Sequence, residues 1–294
     1  MLLSIVLINY KKYNLTISCL NSLITNFKKE FSENIFEVII VDNASNDGSL
    51  KVLNSEVKDK KYNNVRIIEN KKNDGFGKGC NIGVSCSSGK FLLFLNNDTV
   101  VNDRGILDMV TYIEQSPSVA ILGGQLKNID GSLQPSSGSF YTLAKAIMLL
   151  LGLQKYRLLD KSPDKISEVD WVKGGLLMIR KEIFNLLNGF DENMFMYIED
   201  MELCYRAKKM GYKTFFFPDL NILHKEYGTT NRTFAIVNIY KNLLYFYKKH
   251  RSYLEFFILK TVLITKAIIL ILIGYIVGNS YLKNTYKEAL SVIK

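Results

Sequence analysis

A chain of 294 residues, 48% hydrophobic and 22% charged, has room for one large globular domain, or for one domain and an appendage. Its net charge of +10 is unevenly placed: residues 231–294 hold ten Lys/Arg against two acids, which leaves only +2 for the first 230 residues. Basicity confined to a tail takes away the support for nucleic-acid binding by the main domain.

Ser4–Tyr10 is a short continuous apolar run, the pattern of a strand buried on both faces. Asn14–Phe27 repeats apolar residues with helical period. Phe36–Val41, Val65–Ile68 and Phe91–Leu95 read as further strands, separated by the polar turn Asn43–Gly48, a helical stretch, and the Gly-rich helical segment Phe76–Val84. Strands alternating with helices predict βαβ units, hence an α/β fold on a parallel sheet. Beyond Asp98 the pattern loosens. Leu107–Glu114 reads as a helix, Val119–Gly124 as a strand and Asp130–Phe140 as a Gly/Ser loop. Thr142–Leu159 is amphipathic and either lies on a membrane or fills core. Thr214–Pro218 is one more strand, and residues 225–232 read as flexible. Four cysteines form no C-x-x-C pair and no signal peptide precedes the first strand, so a reducing, cytoplasmic setting is expected.

Polar residues collect where the strands end: Asn9 after the first, Asp42, Asn43 and Ser45 after the second, Asn96, Asn97 and Asp98 after the fourth. One acid after a strand is ordinary turn chemistry. Several clusters along one edge point to a ligand, because parallel sheets bind at the carboxyl ends of their strands. Asn73–Gly83 has four glycines but neither the dinucleotide fingerprint nor a G-K-[ST]. Within it Lys78 is placed to face a diphosphate and Asp74 is a second donor-binding candidate, or the glycines serve close helix–sheet packing. Trp171, beside Gly174 and Gly175, either stacks on an acceptor sugar or belongs to the core. His224 is one of two histidines, a metal ligand if Asp98 supplies an oxygen beside it, otherwise structural.

Met194–Tyr212 reads as a short helix opened by Glu199 and Asp200 and closed by Gly211. At about 100° per residue, Asp200 shares the apolar face of Leu203, Cys204, Ala207 and Met210, while Glu202 points to the wet side and pairs with Arg206. An acid held still at the edge of a buried face suits a general base; the alternative is a plain helix cap.

With these residues assembled, the chain resembles the inverting nucleotide-sugar transferases of glycosyltransferase family 2, in particular the bacterial rhamnosyltransferase-like branch. The matching stretches are VDNASNDGS at Val41–Ser49, NDGFGKGCNIG at Asn73–Gly83, FLNND at Phe94–Asp98, Trp171–Arg206, and Leu223-His224. They come in family order and span roughly the first 230 residues. The resemblance implies a GT-A (Rossmann-like) fold and sugar transfer from a dTDP- or UDP-linked donor to a hydroxyl of a glycan or lipid-linked acceptor. It further implies that Asp42 and Asn43 hold the base, that Asp98 and His224 hold Mn²⁺ or Mg²⁺, and that Asp200, with Glu199 beside it, is the catalytic base. Asn9, Ser45, Asp74, Lys78, Asn96 and Asn97 complete the implied donor site, and Trp171, Gly174 and Gly175 the acceptor side. Asn96 stands where the family carries the first acid of its D-x-D, which removes a charge. Asn43 stands where many relatives have a second Asp.

The tail reads as a basic, aromatic helix over 231–253, then an apolar run over Phe256–Val277. A span needs about 20 apolar residues, and this run is long enough. Lys260 and Lys266 interrupt it and no single wet stripe holds both, so helices on the inner leaflet are favoured over a re-entrant or single span. Packing on the domain 1–230, or on a second copy in a homodimer, is the third option. Two other functions stay open: a sugar-phosphate nucleotidyltransferase, and a module that binds nucleotide-sugar without turnover.

Overall fold

The computed structural model describes residues 1–150, 162–225 and 231–293. The end of the amphipathic stretch 142–159 and most of the flexible segment at 225–232 lie outside the described residues. The first half runs β1 (Leu3–Asn9), α1 (Tyr13–Asn26), α2 (Lys28–Ser32), β2 (Phe36–Asn43), α3 (Ser49–Asp59), β3 (Val65–Asn70), α4 (Phe76–Ser85) and β4 (Phe91–Leu95). β5 (Thr99–Val101), α5 (Gly105–Gln115), β6 (Val119–Lys127), β7 (Ser137–Gly138) and α6 (Leu143–Leu150) follow. Next come β8 (Ser167–Val169), β9 (Trp171–Val172), β10 (Leu176–Arg180), α7 (Lys181–Leu186), α8 (Glu199–Lys209) and β11 (Lys213–His224). The chain closes with α9 (Arg232–His250), α10 (Tyr253–Ile276) and α11 (Ser280–Ser291).

The main sheet has the order β3-β2-β1-β4-β10-β6-β11-β5, with β8 on β11, and helices cover both faces: a GT-A-like α/β fold. Alternation along β1 shows why its run is continuously apolar. Leu3, Ile5 and Leu7 pack with Leu20 and Phe27 below, while Val6 faces Val84 above. The first four strands are parallel, as the βαβ pattern requires. β10 runs antiparallel to both β4 and β6, and β5 and β8 antiparallel to β11, so the sheet is mixed. β10 reverses because the chain enters it from the edge where β4 leaves.

The 231–253 helix, expected on a membrane surface, is instead core. Leu243, Phe246 and Tyr247 of α9 are fully buried, in one cluster with Met201, Leu203 and Cys204 of α8. Three lysines, Lys241, Lys248 and Lys249, reach the surface. α10 lies against α6, α9 and α11. α11 then returns to the start of α9, where the Thr233 and Thr285 hydroxyls bond at 2.6 Å and Tyr240 meets Tyr286.

Candidate active site

Strand register gathers the polar clusters on one edge. Asn9 pairs with Asp42, Asp42 with Glu69 and Asn43 with Asn70, while Leu7 pairs with Leu95 just before Asn96. β10 begins at the same edge, since Leu176 pairs with Leu95, and so Gly174 and Gly175 lie there too. β11 ends there with His224 opposite Thr99.

At the β1–β2 end the side chains are committed to one another. Asn9 Nδ2 donates to Asp42 Oδ1 at 2.6 Å, and Ser45 Oγ donates to the same oxygen at 2.5 Å. Thr16 donates to Asn9 Oδ1 and accepts from Asn97 Nδ2, both at 2.8 Å. Asn43 donates to Asn73 Oδ1 and accepts from Asn70. Asn9, Asp42, Asn43 and Ser45 are all buried, so they form the floor of the edge. Thr16 carried no sequence signal.

The Gly-rich loop is built mainly for packing. A Cβ on Gly77 would meet Phe190 at 3.0 Å, and one on Gly79 would meet Ile8 at 3.2 Å. Gly75 is under a stronger demand: its φ is +103° and a Cβ would stand 2.0 Å from the Phe195 carbonyl, which accepts from Phe76 N–H. This loop is thereby tied to the segment that leads into α8. Lys78 pairs with Asp74 at 3.6 Å and Glu192 at 3.3 Å, and Asp74 also holds Lys72.

Asp98 and His224 come together from β4's end and β11's end, Oδ1 to Nε2 at 2.9 Å. Asn96 Nδ2 lies 3.1 Å from the same Nε2, and Gln134 Oε1 lies 3.0 Å from Nδ1. Gln134 Oε1 suits a proton on Nδ1, and Nε2 faces the Asn96 amide and Asp98 Oδ1, a buried oxygen with no hydrogen-bond partner among the described residues. Two donors about 3 Å apart match neighbouring ligands of one hard divalent cation, whose other positions go to phosphate oxygens and water. The pair fits such an ion, although no group of three or more His, Cys, Asp or Glu side chains converges among the described residues. Gln134, buried and held by Asn128, was missed from the sequence.

Asp200 opens α8 after two consecutive left-handed residues, Tyr197 (φ 72°) and Ile198 (φ 73°). Its Oδ2 accepts from Gly174 N–H at 2.9 Å and its Oδ1 from Met201 N–H at 2.7 Å. Burial pushes its pKa up against the pull of those two N–H groups, yet the residue keeps partial contact with solvent. Glu199 is buried and its Oε2 has no hydrogen-bond partner among the described residues. Burial first, and the charge of Asp200 second, raise its pKa well above the usual range. Asn242 of α9, fully buried, donates to the Met196 and Tyr197 carbonyls, both at 2.9 Å, and so braces the left-handed turn.

Three expectations need correction. Glu202 does not face water: it is 0% exposed under α9, where Lys249 and His250 join Arg206 on its carboxylate. Met210 is half exposed, because the helix ends before the apolar stripe reaches it. Trp171 is buried with its N–H on the Ser139 carbonyl and its ring against Tyr141, so it presents no face to a sugar.

A single junction joins the two ends of the site. Gly174 N–H holds Asp200, and the next residue's carbonyl, Gly175 O, accepts from Asn96 N–H at 3.0 Å. The family model for glycosyl transferase family 2 matches residues 4–184, more than half of the chain. The chain belongs to glycosyl transferase family 2. The transferase is 26% identical over 221 residues, covering 68% of it and 70% of the relative, to an N-acetylglucosaminyl-diphospho-decaprenol L-rhamnosyltransferase of Mycobacterium tuberculosis. It is 28% identical over 173 residues, 54% of it and 64% of the relative, to rhamnosyltransferase WbbL of Escherichia coli. Its fold is similar to that of GalNAc-T7 with UDP, GalNAc and Mn²⁺, at a TM-score of 0.61 and 18% identity, over 82% of this chain and 47% of that one. The transferase thus spans about half the length of that structure. Family membership makes it an enzyme that transfers glycosyl groups from nucleotide-sugars, which takes the place of the nucleotidyltransferase and non-catalytic readings.

Proposed function

We propose that this transferase moves a deoxyhexose such as rhamnose, or a hexose, from a dTDP- or UDP-linked donor to a hydroxyl of a glycan or lipid-linked acceptor. Transfer inverts the anomeric centre and serves cell-surface polysaccharide synthesis at the cytoplasmic side of the membrane. The Gly174–Gly175 junction carries the reading, because it ties an ionisable acid to the Asn96–Asp98 end in two consecutive residues. The two bacterial relatives, both named rhamnosyltransferases, support the choice of sugar.

In this mechanism Asp200 Oδ takes the proton of the acceptor hydroxyl as that oxygen attacks C1 of the donor sugar. The C1–O bond to the diphosphate breaks on the opposite face, and the nucleoside diphosphate leaves with the electron pair. Asp98 and His224 would hold the Mn²⁺ or Mg²⁺, which when bound neutralises charge on the leaving diphosphate. Lys78 adds a positive charge near that end by leaving Glu192, a half-exposed partner. The Asp42–Asn43 floor, with Asn9, Ser45 and Asn97, shapes the base and ribose end, and burial together with the Asp200 charge disfavours ionisation of Glu199 beside the base.

A donor panel tests this: dTDP-rhamnose, UDP-glucose, UDP-galactose, UDP-GlcNAc and GDP-mannose, scored by slow hydrolysis with Mn²⁺ or with EDTA. Metal-dependent release of nucleoside diphosphate from one donor, lost in Asp98→Ala, is expected. Metal-independent release that survives Asp98→Ala would sink the reading. Gln134 provides a separate check. Gln134→Leu strips the partner that orients His224, and loss of such a partner weakens metal binding about 10–100-fold. Titration of Mn²⁺ by electron paramagnetic resonance, with nucleoside diphosphate present, reads this directly; unchanged affinity would exclude the role.

A further inference from the structure

We propose that the outward face of α10 docks in the plane of an anionic bilayer, with the helix axis parallel to the membrane surface. α10 is the one described helix long and apolar enough to cross a membrane. Its placement argues for another use. At about 100° per residue its buried positions, Leu259, Leu263, Ala267 and Gly274, fall within an arc of about 80°. Phe257, Ile258, Ile268, Ile269, Leu272 and Ile276 are exposed on the opposite side. Lys260 and Lys266 fall between, one on each shoulder of the buried arc. The two lysines that share no wet stripe therefore leave the outer face free of charge over about 36 Å of helix.

Crossing the bilayer would carry α10's neighbours with it. α10 packs along α9, whose far side is core of the catalytic domain, and α11 folds back on both through Thr285 and Tyr286. A spanning α10 would take Lys283, Lys287 and Glu288 of α11 into hydrocarbon, where charges are expelled. Lying flat, the same helix buries only its apolar side, and its rim meets the headgroups. Tyr253 and Tyr275 stand exposed near its two ends, suited to that depth, with Lys287 donating to the Tyr275 hydroxyl.

A second copy of the chain is the weaker occupant. A two-fold contact would bury the apolar face but bring no anionic partner to Lys260 at its edge, since Glu255 is the one acid on α10. An anionic bilayer supplies that partner at its headgroups. The inference deepens the membrane side of the proposed function and rests on it there; it does not depend on the sugar or the donor.

Two single variants of the full chain, Ile258→Trp and Ile269→Trp, measure depth in vesicles of phosphatidylglycerol and phosphatidylcholine. Quenching is compared for lipids brominated near the headgroup and near the chain end, with the signal of buried Trp171 in the parent subtracted. Equal, shallow quenching at both positions is expected. A spanning helix would put the two sites about 10 and 7 Å from the midplane, on opposite sides of it, so deep quenching at both would overturn the proposal. Ile269→Glu with Leu272→Glu, both at exposed positions, should weaken vesicle binding at least tenfold and leave donor hydrolysis in solution unchanged. No vesicle binding by the parent chain overturns the proposal, and a dimer that the same double variant disrupts would assign the face to a second copy. Donor hydrolysis, measured without lipid, keeps failure of the transferase reading separate.

Discussion

Asp200→Asn should lower kcat for sugar transfer about 10³-fold, within the 10²–10⁴ range of a positioned general base, while donor binding holds. The substitution is nearly isosteric. An asparagine Oδ1 can keep the 2.9 Å bond from Gly174 N–H, so the Gly174–Gly175 junction and the Asn96 end should survive, while its Nδ2 replaces the oxygen that accepts from Met201 N–H. What is lost is the capacity to take a proton. The parent enzyme should show kcat/KM rising with pH through a value above the ordinary 3.8, because burial raises the Asp200 pKa and only the ionised form is a base. The residual activity of the variant should lack that limb.

Stability should move the other way. A carboxyl whose folded pKa is raised binds more protons folded than unfolded across the interval between the two values. Stability therefore falls as pH rises through that interval, and the loss persists above it. Asp200→Asn removes that pH-dependent term and costs the Met201 N–H bond, so its Tm should no longer fall as pH rises through the interval even as transfer drops about 10³-fold. An unchanged kcat with an unchanged pH profile would rule Asp200 out as the base; a fall in kcat that leaves the pH limb in place would make it a structural cap instead.

How much of this was legible beforehand depended on whether a feature is local. The strands β1, β2 and β4 were legible because burial on both faces forces continuous apolar runs, and their polar ends followed from the sheet rule. The direction of β10 was not, since LLMIR reads the same whichever way the strand enters. Trp171 illustrates a type-based expectation overridden by packing: an aromatic beside two glycines suits a sugar, yet Tyr141 and Ser139 had already enclosed it. Gln134 and Asn242 escaped because a lone amide belongs to no motif. Asn242 did leave a trace, as the polar member next to Leu243 and Leu244 in an aromatic helix. A buried amide at such a place must find partners, and it found the Met196 and Tyr197 carbonyls.

Glu202→Ala should destabilise the enzyme by about 3 kcal/mol, the lower end of the cost of breaking a buried ion pair. The carboxylate is fully buried and meets Arg206 at 2.7 Å, Lys249 at 2.8 Å and His250 at 2.9 Å. Alone, burial would raise its pKa. The His250 hydrogen bond, the Arg206 charge and Lys249 together bring it below 4.5. Its stabilising contribution is thus present above the ordinary glutamate pKa and is lost as pH falls through the depressed value. Removing it takes from His250 its one ion-pair partner among the described residues, while Arg206 keeps the Leu187 and Gly189 carbonyls and Lys249, about a third exposed, keeps Asp191. A loss of that size corresponds to roughly 6–12 °C in Tm for a chain of this class. The same helix carries Asn242, so loosening α9 should also relax the Tyr197–Ile198 turn and misplace Asp200. Thermal unfolding and kcat are then expected to fall together in Glu202→Ala. Glu202→Gln, which keeps the shape and some hydrogen bonds, should recover part of both. If Tm falls while kcat per folded molecule is untouched, α9 holds the fold without positioning the base.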